Sequence, residues 1–397
     1  MGARNSRQVP VVQTFTEGGQ NDRIWYAASS RQDRRRNRRD AYAAVPDLDD
    51  ITSFFGLYDG HEGAEVALLC EKQFHIELRN DPHYPDNLAV ALERTFFRMD
   101  ALLEESEDWK KLLLPRETRG RMQCLPLKAC ISGYHWPFAK RKTPVEYVPP
   151  QVSGSTACVA AIRGHQIIIG NVGRSRCIIS RNGQAIELTT DHEPSNLIER
   201  ERIETAGGEV INVKIPGEEE GFFQQHGPVG TFRIDGILPH SRAIGYFEFK
   251  KNPNFPPKKQ KVTCDPEILT IDITNDIDFL VIVTDGICPY LPSQTVVEHI
   301  RKELSSTSIN LPLICARLCD RCIVSGDDAT VILVQFKNAP PHQALPALEE
   351  NLLGSGGGSS NDNAAQPPAP ANEDAEPEGQ EEQPLLHDDE ITEDPPT

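Results

Sequence analysis

Three places in this sequence put a carboxylate beside a short apolar run. Phe54-Phe55-Gly56-Leu57-Tyr58 leads into Asp59-Gly60-His61-Glu62-Gly63, and Phe279-Leu280-Val281-Ile282-Val283-Thr284 leads into Asp285-Gly286. Ser325-Gly326-Asp327-Asp328 directly precedes the apolar run 329–336. Hard divalent cations such as Mg²⁺ and Mn²⁺ take oxygen ligands from rigid positions, so carboxylates delivered at three separate strand ends suit an octahedral oxygen site. Each Asp-Gly taken alone reads as a turn more readily than as a metal ligand.

Two further clusters could carry chemistry. Cys315, Cys319 and Cys322 could bind zinc, but no fourth ligand lies nearby, and the helix-like run 311–323 makes them helix-face or buried cysteines. Residues 31–39 hold six arginines in nine positions. They read as an extension of a phosphate groove, a solvated basic strand, or a nuclear-localisation or nucleic-acid patch.

The elements that must position the carboxylates follow from periodicity. Residues 54–58 predict a strand, Gly60 and Gly63 a turn, and 64–78 a helix. The runs 157–162, 166–169 and 177–180 predict further strands, joined by Arg163-Gly164-His165 and Arg181-Asn182-Gly183 as hairpin turns. Segments 103–150 and 218–226 read as long inserted loops.

A chain of 397 residues that is 38% apolar can bury a sizeable core. It has no apolar run of membrane-spanning length and no signal-peptide pattern, and its scattered cysteines suit reduced core thiols. These features predict a cytoplasmic or nuclear location. The net charge of −18 is concentrated in the C-terminal part: residues 338–397 hold fourteen acidic residues and no Lys or Arg, and setting those fourteen aside leaves −4 for residues 1–337. The Gly-Ser, Pro-Ala and acidic composition of 338–397 predicts a disordered tail. Within it, Glu381 with Leu385 and Leu386 fits an acidic dileucine pattern, which short sequences also produce by chance. At the other end Met1-Gly2 with Ser6 fits N-myristoylation at Gly2, beside Arg4 and Arg7; a single acyl chain gives only weak, reversible membrane attachment.

The order of motifs over residues 20–336 resembles the protein phosphatase 2C (PPM) family of metal-dependent phosphatases. Asp59-Gly60-His61-Glu62-Gly63 resembles its DGHGG, Ser153-Gly154-Ser155-Thr156-Ala157 its SGSTA, and Asn171-Val172-Gly173 its N-x-G. Leu188-Thr189-Thr190-Asp191-His192-Glu193-Pro194 resembles its LTxDHKP; residues 199–210, Ser241-Arg242-Ala243-Ile244-Gly245, Asp285-Gly286 and Asp327-Asp328-Ala329-Thr330 continue the register. The resemblance implies an α+β fold of two antiparallel β-sheets packed as a sandwich, flanked by helices, with a metal site in a cleft at one edge. It divides the chain into an N-terminal segment 1–19, a phosphatase-like domain 20–337 and the tail 338–397.

The resemblance also implies roles. Asp59 bridges two Mg²⁺ or Mn²⁺ ions, the Gly60 carbonyl holds the second, and Asp285 and Asp327 complete the first. His61 is the general acid and Arg35 clamps the phosphate. The implied partner is a phosphoserine or phosphothreonine protein, with the chain a monomer and no nucleic acid bound. Several positions depart from the pattern. Arg39 replaces the Glu of the Glu-Asp pair, leaving Asp40 as the remaining support for a second metal. Arg174 replaces the Asp after N-x-G, Tyr246 the Asp of the Gly-Asp pair, and Pro289 the last Asp of DGxxD. A cation added about 4 to 6 Å from a divalent ion repels it by several kcal/mol at moderate effective dielectric. Two readings follow: a serine/threonine phosphatase with weak metal binding, one ion or both, and low activity; or a pseudophosphatase that holds a phosphoprotein or signalling partner without hydrolysis.

Overall fold

The structure, a computed structural model, describes residues 12–33, 40–113, 150–213, 231–288, 290–306, 308–321 and 328–337. The expectations placed on Gly2, Arg35, Arg39, Pro289, Cys322, Asp327, segment 218–226 and the tail from 338 fall outside these residues.

In chain order the elements are β1 (Val12–Gln20), β2 (Ile24–Asp33), β3 (Asp40–Val45), β4 (Thr52–His61), α1 (Glu65–Asn80), α2 (Leu88–Glu105) and α3 (Asp108–Leu113). Next come β5 (Gly154–Ser155), β6 (Ala157–Arg163), β7 (Gln166–Val172), β8 (Arg176–Arg181), β9 (Gln184–Glu187), α4 (Leu197–Thr205), β10 (Val210–Val213) and β11 (Thr231–Ile234). The last are β12 (Ile244–Gly245), β13 (Glu267–Asp272), β14 (Ile277–Val283), α5 (Ser293–Leu304), α6 (Leu311–Arg321) and β15 (Ala329–Phe336).

Of the two large sheets, one runs β1-β2-β15-β14-β8-β9 and the other β12-β5-β4-β6-β7-β13, with β3 also paired to β4; β10 and β11 pair as a separate two-stranded sheet. Side-chain parity explains how they stack. In β4, Phe55 and Leu57 face the space between the sheets with Ala160, Ile169, Ile179, Leu280 and Ile282. Phe54 and Tyr58, one step out of phase, pack instead with Phe74 of α1 and Phe96 of α2. In β14, Phe279, Val281 and Val283 turn outward onto Val297 of α5 and Leu318 of α6. Both faces of both central strands are therefore covered. That is why they read as unbroken apolar runs rather than alternating ones, and each fully buried Phe, Leu or Ile contributes roughly 1.5–3 kcal/mol. These antiparallel sheets and outer helices are the α+β sandwich expected.

Local chemistry sets the connections. Asn182 (φ 50°) and Gly183 (φ 83°) form the two-residue turn between β8 and β9, with Arg181 paired to Gln184. The side chain of Asn87 caps α2 by accepting from the Val90 N–H at 3.1 Å.

Three boundaries differ from those expected. β1 begins at Val12 and pairs with β2 along its whole length, so ordered structure starts ahead of residue 20. The segment taken as a loop from 103 is helical as far as Leu113, because Leu103 continues the buried Phe96-Met99 stripe of α2 and Trp109 buries α3 against the same core. β4 runs on through His61 rather than ending at Asp59. Cys315 and Cys319 lie buried on α6, their thiols toward the carbonyls of Ala27 (3.7 Å) and Ser29 (3.4 Å), as helix-face cysteines.

Candidate active site

Because β4 continues past Asp59, pairing fixes three successive site residues. Asp40 stands opposite Asp59 across β3 and β4, while Gly60 and His61 stand opposite Ser155 and Gly154 of β5. The Asp59 carbonyl accepts from the Thr156 N–H at 2.9 Å and the Ser155 hydroxyl at 3.1 Å, so the strand end is held by the Ser-Gly-Ser-Thr motif. Glu62 (φ 56°) and Gly63 (φ 151°) then turn the chain into α1.

Asp285 comes from the opposite sheet, two residues past β14. Thr284 and Thr330 hold it there by exchanging hydrogen bonds: the Thr284 N–H donates to the Thr330 carbonyl (3.1 Å) and the Thr330 N–H to the Thr284 hydroxyl (3.0 Å). One ligand atom from each of Asp59, His61 and Asp285 then lies within 4.8 Å of the others. Asp59 is buried and the other two are half-buried, and the two carboxylates offer the hard oxygen donors that Mg²⁺ or Mn²⁺ requires. The sequence therefore placed Asp59 and Asp285 at strand ends that the fold brings together. Asp40 is a near neighbour outside this trio; its carboxylate accepts from the Thr330 hydroxyl at 2.6 Å.

Arg174 enters the trio from the loop between β7 and β8. Its Nε lies 3.8 Å from Asp285 and 3.5 Å from Glu193. Burial works to lower the guanidinium pKa, but Asp285, Glu193 and Asp191 outweigh it and leave it raised, so the cation is held firmly. Paired hydrogen bonds close the loop: the Gly173 N–H donates to His192 Nδ1 (3.1 Å), and the His192 backbone N–H donates back to the Gly173 carbonyl (3.0 Å). Burial, with Arg242 adding, pushes His192 down to about 3, so it acts as a neutral acceptor. Arg176 grips Asp191 with two bonds of 3.0 and 2.7 Å, fixing the other side of the same motif.

Tyr246 fills space where the family pattern places a carboxylate. It is fully buried, adopts φ 55°, and packs on Gly154, where an added Cβ would meet its ring at 2.2 Å. His61, Arg174, Tyr246 and Asp285 share a cleft of about 690 Å³ with Arg233, Ile237 and His240. His240 was missed by sequence reasoning. Its Nε2 lies 3.0 Å from Nε2 of His61, and burial, with His61, Arg174 and Arg233 adding, holds it well below the ordinary histidine range. A lone histidine ahead of Ser241-Arg242 has no spacing that would mark it; only its place immediately before a site motif could have.

Comparison with known proteins agrees with this architecture. The protein phosphatase 2C family profile matches residues 138–331. A probable protein phosphatase 2C 21 of Oryza sativa subsp. japonica is 43% identical over 360 residues, covering 90% of this chain and 97% of that protein. A probable protein phosphatase 2C 20 from the same plant is also 43% identical, over 344 residues that cover 86% of this chain but 63% of its own length. Among solved structures, a serine-threonine phosphatase 2C from Toxoplasma gondii superposes with a TM-score of 0.57 at 18% identity, covering 83% of this chain and all of that one, a likeness of fold. The chain belongs to the protein phosphatase 2C family.

Proposed function

We propose that this chain is a protein serine/threonine phosphatase that hydrolyses phosphoserine and phosphothreonine through a metal-activated water, with metal binding weakened by Arg174 and turnover correspondingly low. The observation that carries the reading is the convergence of Asp59, His61 and Asp285 within 4.8 Å while Arg174 lies 3.8 Å from Asp285. Asp59 and Asp285, with the Gly60 carbonyl and Asp327, would hold Mg²⁺ or Mn²⁺, and Asp40 would support a second ion. Such an ion, when bound, supplies Lewis acidity toward the phosphate and lowers the pKa of its water. His61 gives a proton to the departing serine or threonine oxygen, and Arg35 orients the phosphate through its planar guanidinium.

The Arg174–Asp285 pair also favours a second reading, in which a fixed guanidinium takes over the role of the lost metal charge and the cleft binds a phosphoprotein without cleaving it. Hydrolysis of p-nitrophenyl phosphate and a phosphothreonine peptide across a wide Mn²⁺ and Mg²⁺ titration separates the two. Turnover that needs high metal and vanishes in Asp285→Ala is expected; a folded protein with no turnover at any metal concentration would establish the binding reading instead.

A further inference from the structure

Glu62 occupies the fourth position of the DGHGG pattern, where the family has glycine. Its backbone nevertheless keeps the left-handed turn that glycine takes freely, at φ 56°, and Gly63 follows at φ 151°. His61 ahead of it is paired to Gly154 of β5, and α1 begins at Glu65, so elements on both sides fix where Glu62 stands. The residue is exposed and lines the cleft that also holds His61, Arg174 and Asp285. Among the described residues, no hydrogen bond or ion pair engages its carboxylate. The cations of the same cleft are engaged elsewhere: Arg174 with Asp285 and Glu193, and Arg233 through Nη1 with the Ile237 carbonyl at 2.6 Å. Glu248, also exposed, lines the cleft as a second glutamate.

We propose that Glu62 is a specificity-determining residue whose carboxylate selects substrate segments carrying lysine or arginine beside the phosphorylated serine or threonine. The proposal rests on the reading of this cleft as the one that takes phosphoserine and phosphothreonine proteins. A carboxylate cannot favour the phosphate itself, since both are anions. Its favourable partner is a cation carried by the neighbouring residues of the same segment. The same charge disfavours acidic flanks, which gives the selection a repulsive side as well as an attractive one. An exposed ion pair is worth a few-fold in affinity and is screened by salt, so the preference is modest and strongest at low ionic strength.

Phosphothreonine peptides that differ only in their flanks provide the test, with lysine, glutamine or glutamate on both sides of the phosphoresidue and measurements at low salt. In the wild-type chain, kcat/KM for the lysine peptide is expected to exceed that for the glutamate peptide by roughly fivefold. Glu62→Gln keeps the shape of the side chain and removes its charge, and is expected to lower that ratio about threefold. Glu62→Lys reverses the charge and is expected to bring the ratio below one. A substitution that merely slows catalysis moves all the peptides alike and cancels in the ratio. The same ratio in the wild type and both variants would overturn the proposal, and so would a wild-type preference for the glutamate peptide. If no peptide turns over, fluorescence anisotropy of the same peptides, labelled, reads the preference as relative affinities. Tighter binding of the lysine peptide that reverses in Glu62→Lys, without turnover, would count against the phosphatase reading and not against the role of Glu62. Equal affinities, or no binding of any peptide, would overturn the proposal.

Discussion

At the scale of single residues, the site combines preserved carboxylates with charges and rings that alter what those carboxylates can do. Asp59 and Asp285 were legible because each ends an apolar run, and Arg174 because it follows N-x-G directly. His240 was not legible, since its meaning comes from a 3.0 Å contact with a residue 179 positions away. His192 was legible as part of a motif, but its task, closing Gly173 into a fixed loop, emerges only from the paired hydrogen bonds. That task has a pH consequence. The folded-state pKa of about 3 lies below the value of about 6.5 expected in the unfolded chain, so the unfolded state binds the extra proton between them. The contribution of His192 is therefore fully present above about pH 6.5 and is lost as pH falls toward 3, with a slope approaching 1.4 kcal/mol per pH unit from this one group. His240, also buried and neutral, acts in the same direction. Urea midpoints are expected to fall steadily from pH 7 to 4.5, and His192→Asn, which keeps a short acceptor for the Gly173 N–H, is expected to flatten that dependence. A wild-type midpoint constant over this range would rule the account out.

At the scale of elements, strands covered on both faces announced themselves. β4, β14 and β15 appear as unbroken apolar runs, and Asn182-Gly183 marked its hairpin. β1 did not announce itself, because Val-Gln-Thr-Phe-Thr-Glu-Gly-Gly-Gln is a largely exposed edge strand whose Gly-Gly reads as a break. The last turn of α2 was hidden for a similar reason: Glu104-Glu105 is a solvent-facing charge pair, and only Leu103 shows the buried side. β5 and β12 are two residues each, too short for any period to show, although together they shape the floor beneath His61. Gly154 in β5 has a specific reason to be glycine. An added Cβ would sit 2.2 Å from the Tyr246 ring and 2.6 Å from the Ile244 carbonyl, and the second of these atoms is backbone that cannot rotate away. Gly154→Ala is expected to destabilise the protein by about 2 kcal/mol, in the range of overpacked cores, as a lowered urea midpoint. An unchanged midpoint would mean that β5 and Tyr246 separate more readily than this packing allows.

At the scale of the whole molecule, the site belongs to neither sheet alone. Asp59 is carried by β4, Asp285 by the end of β14 in the other sheet, and Arg174 by the β7–β8 connection that crosses between them. The sandwich therefore sets the distance between the two carboxylates, and a bound ion would join the sheets at their edge. Family motifs in the sequence foretold this convergence; how closely Arg174 approaches Asp285 needed the three-dimensional structure, because it depends on how β7 and β14 lie across the sandwich. The most direct test is calorimetric titration of Mn²⁺ into the wild-type chain and into Arg174→Ala, which removes the guanidinium without adding a ligand. Removing a cation 3.8 Å from Asp285 is expected to tighten Mn²⁺ binding on the order of tenfold, after allowance for solvent screening at a half-buried site. Equal or weaker binding by Arg174→Ala would contradict the claim that this arginine competes with the metal.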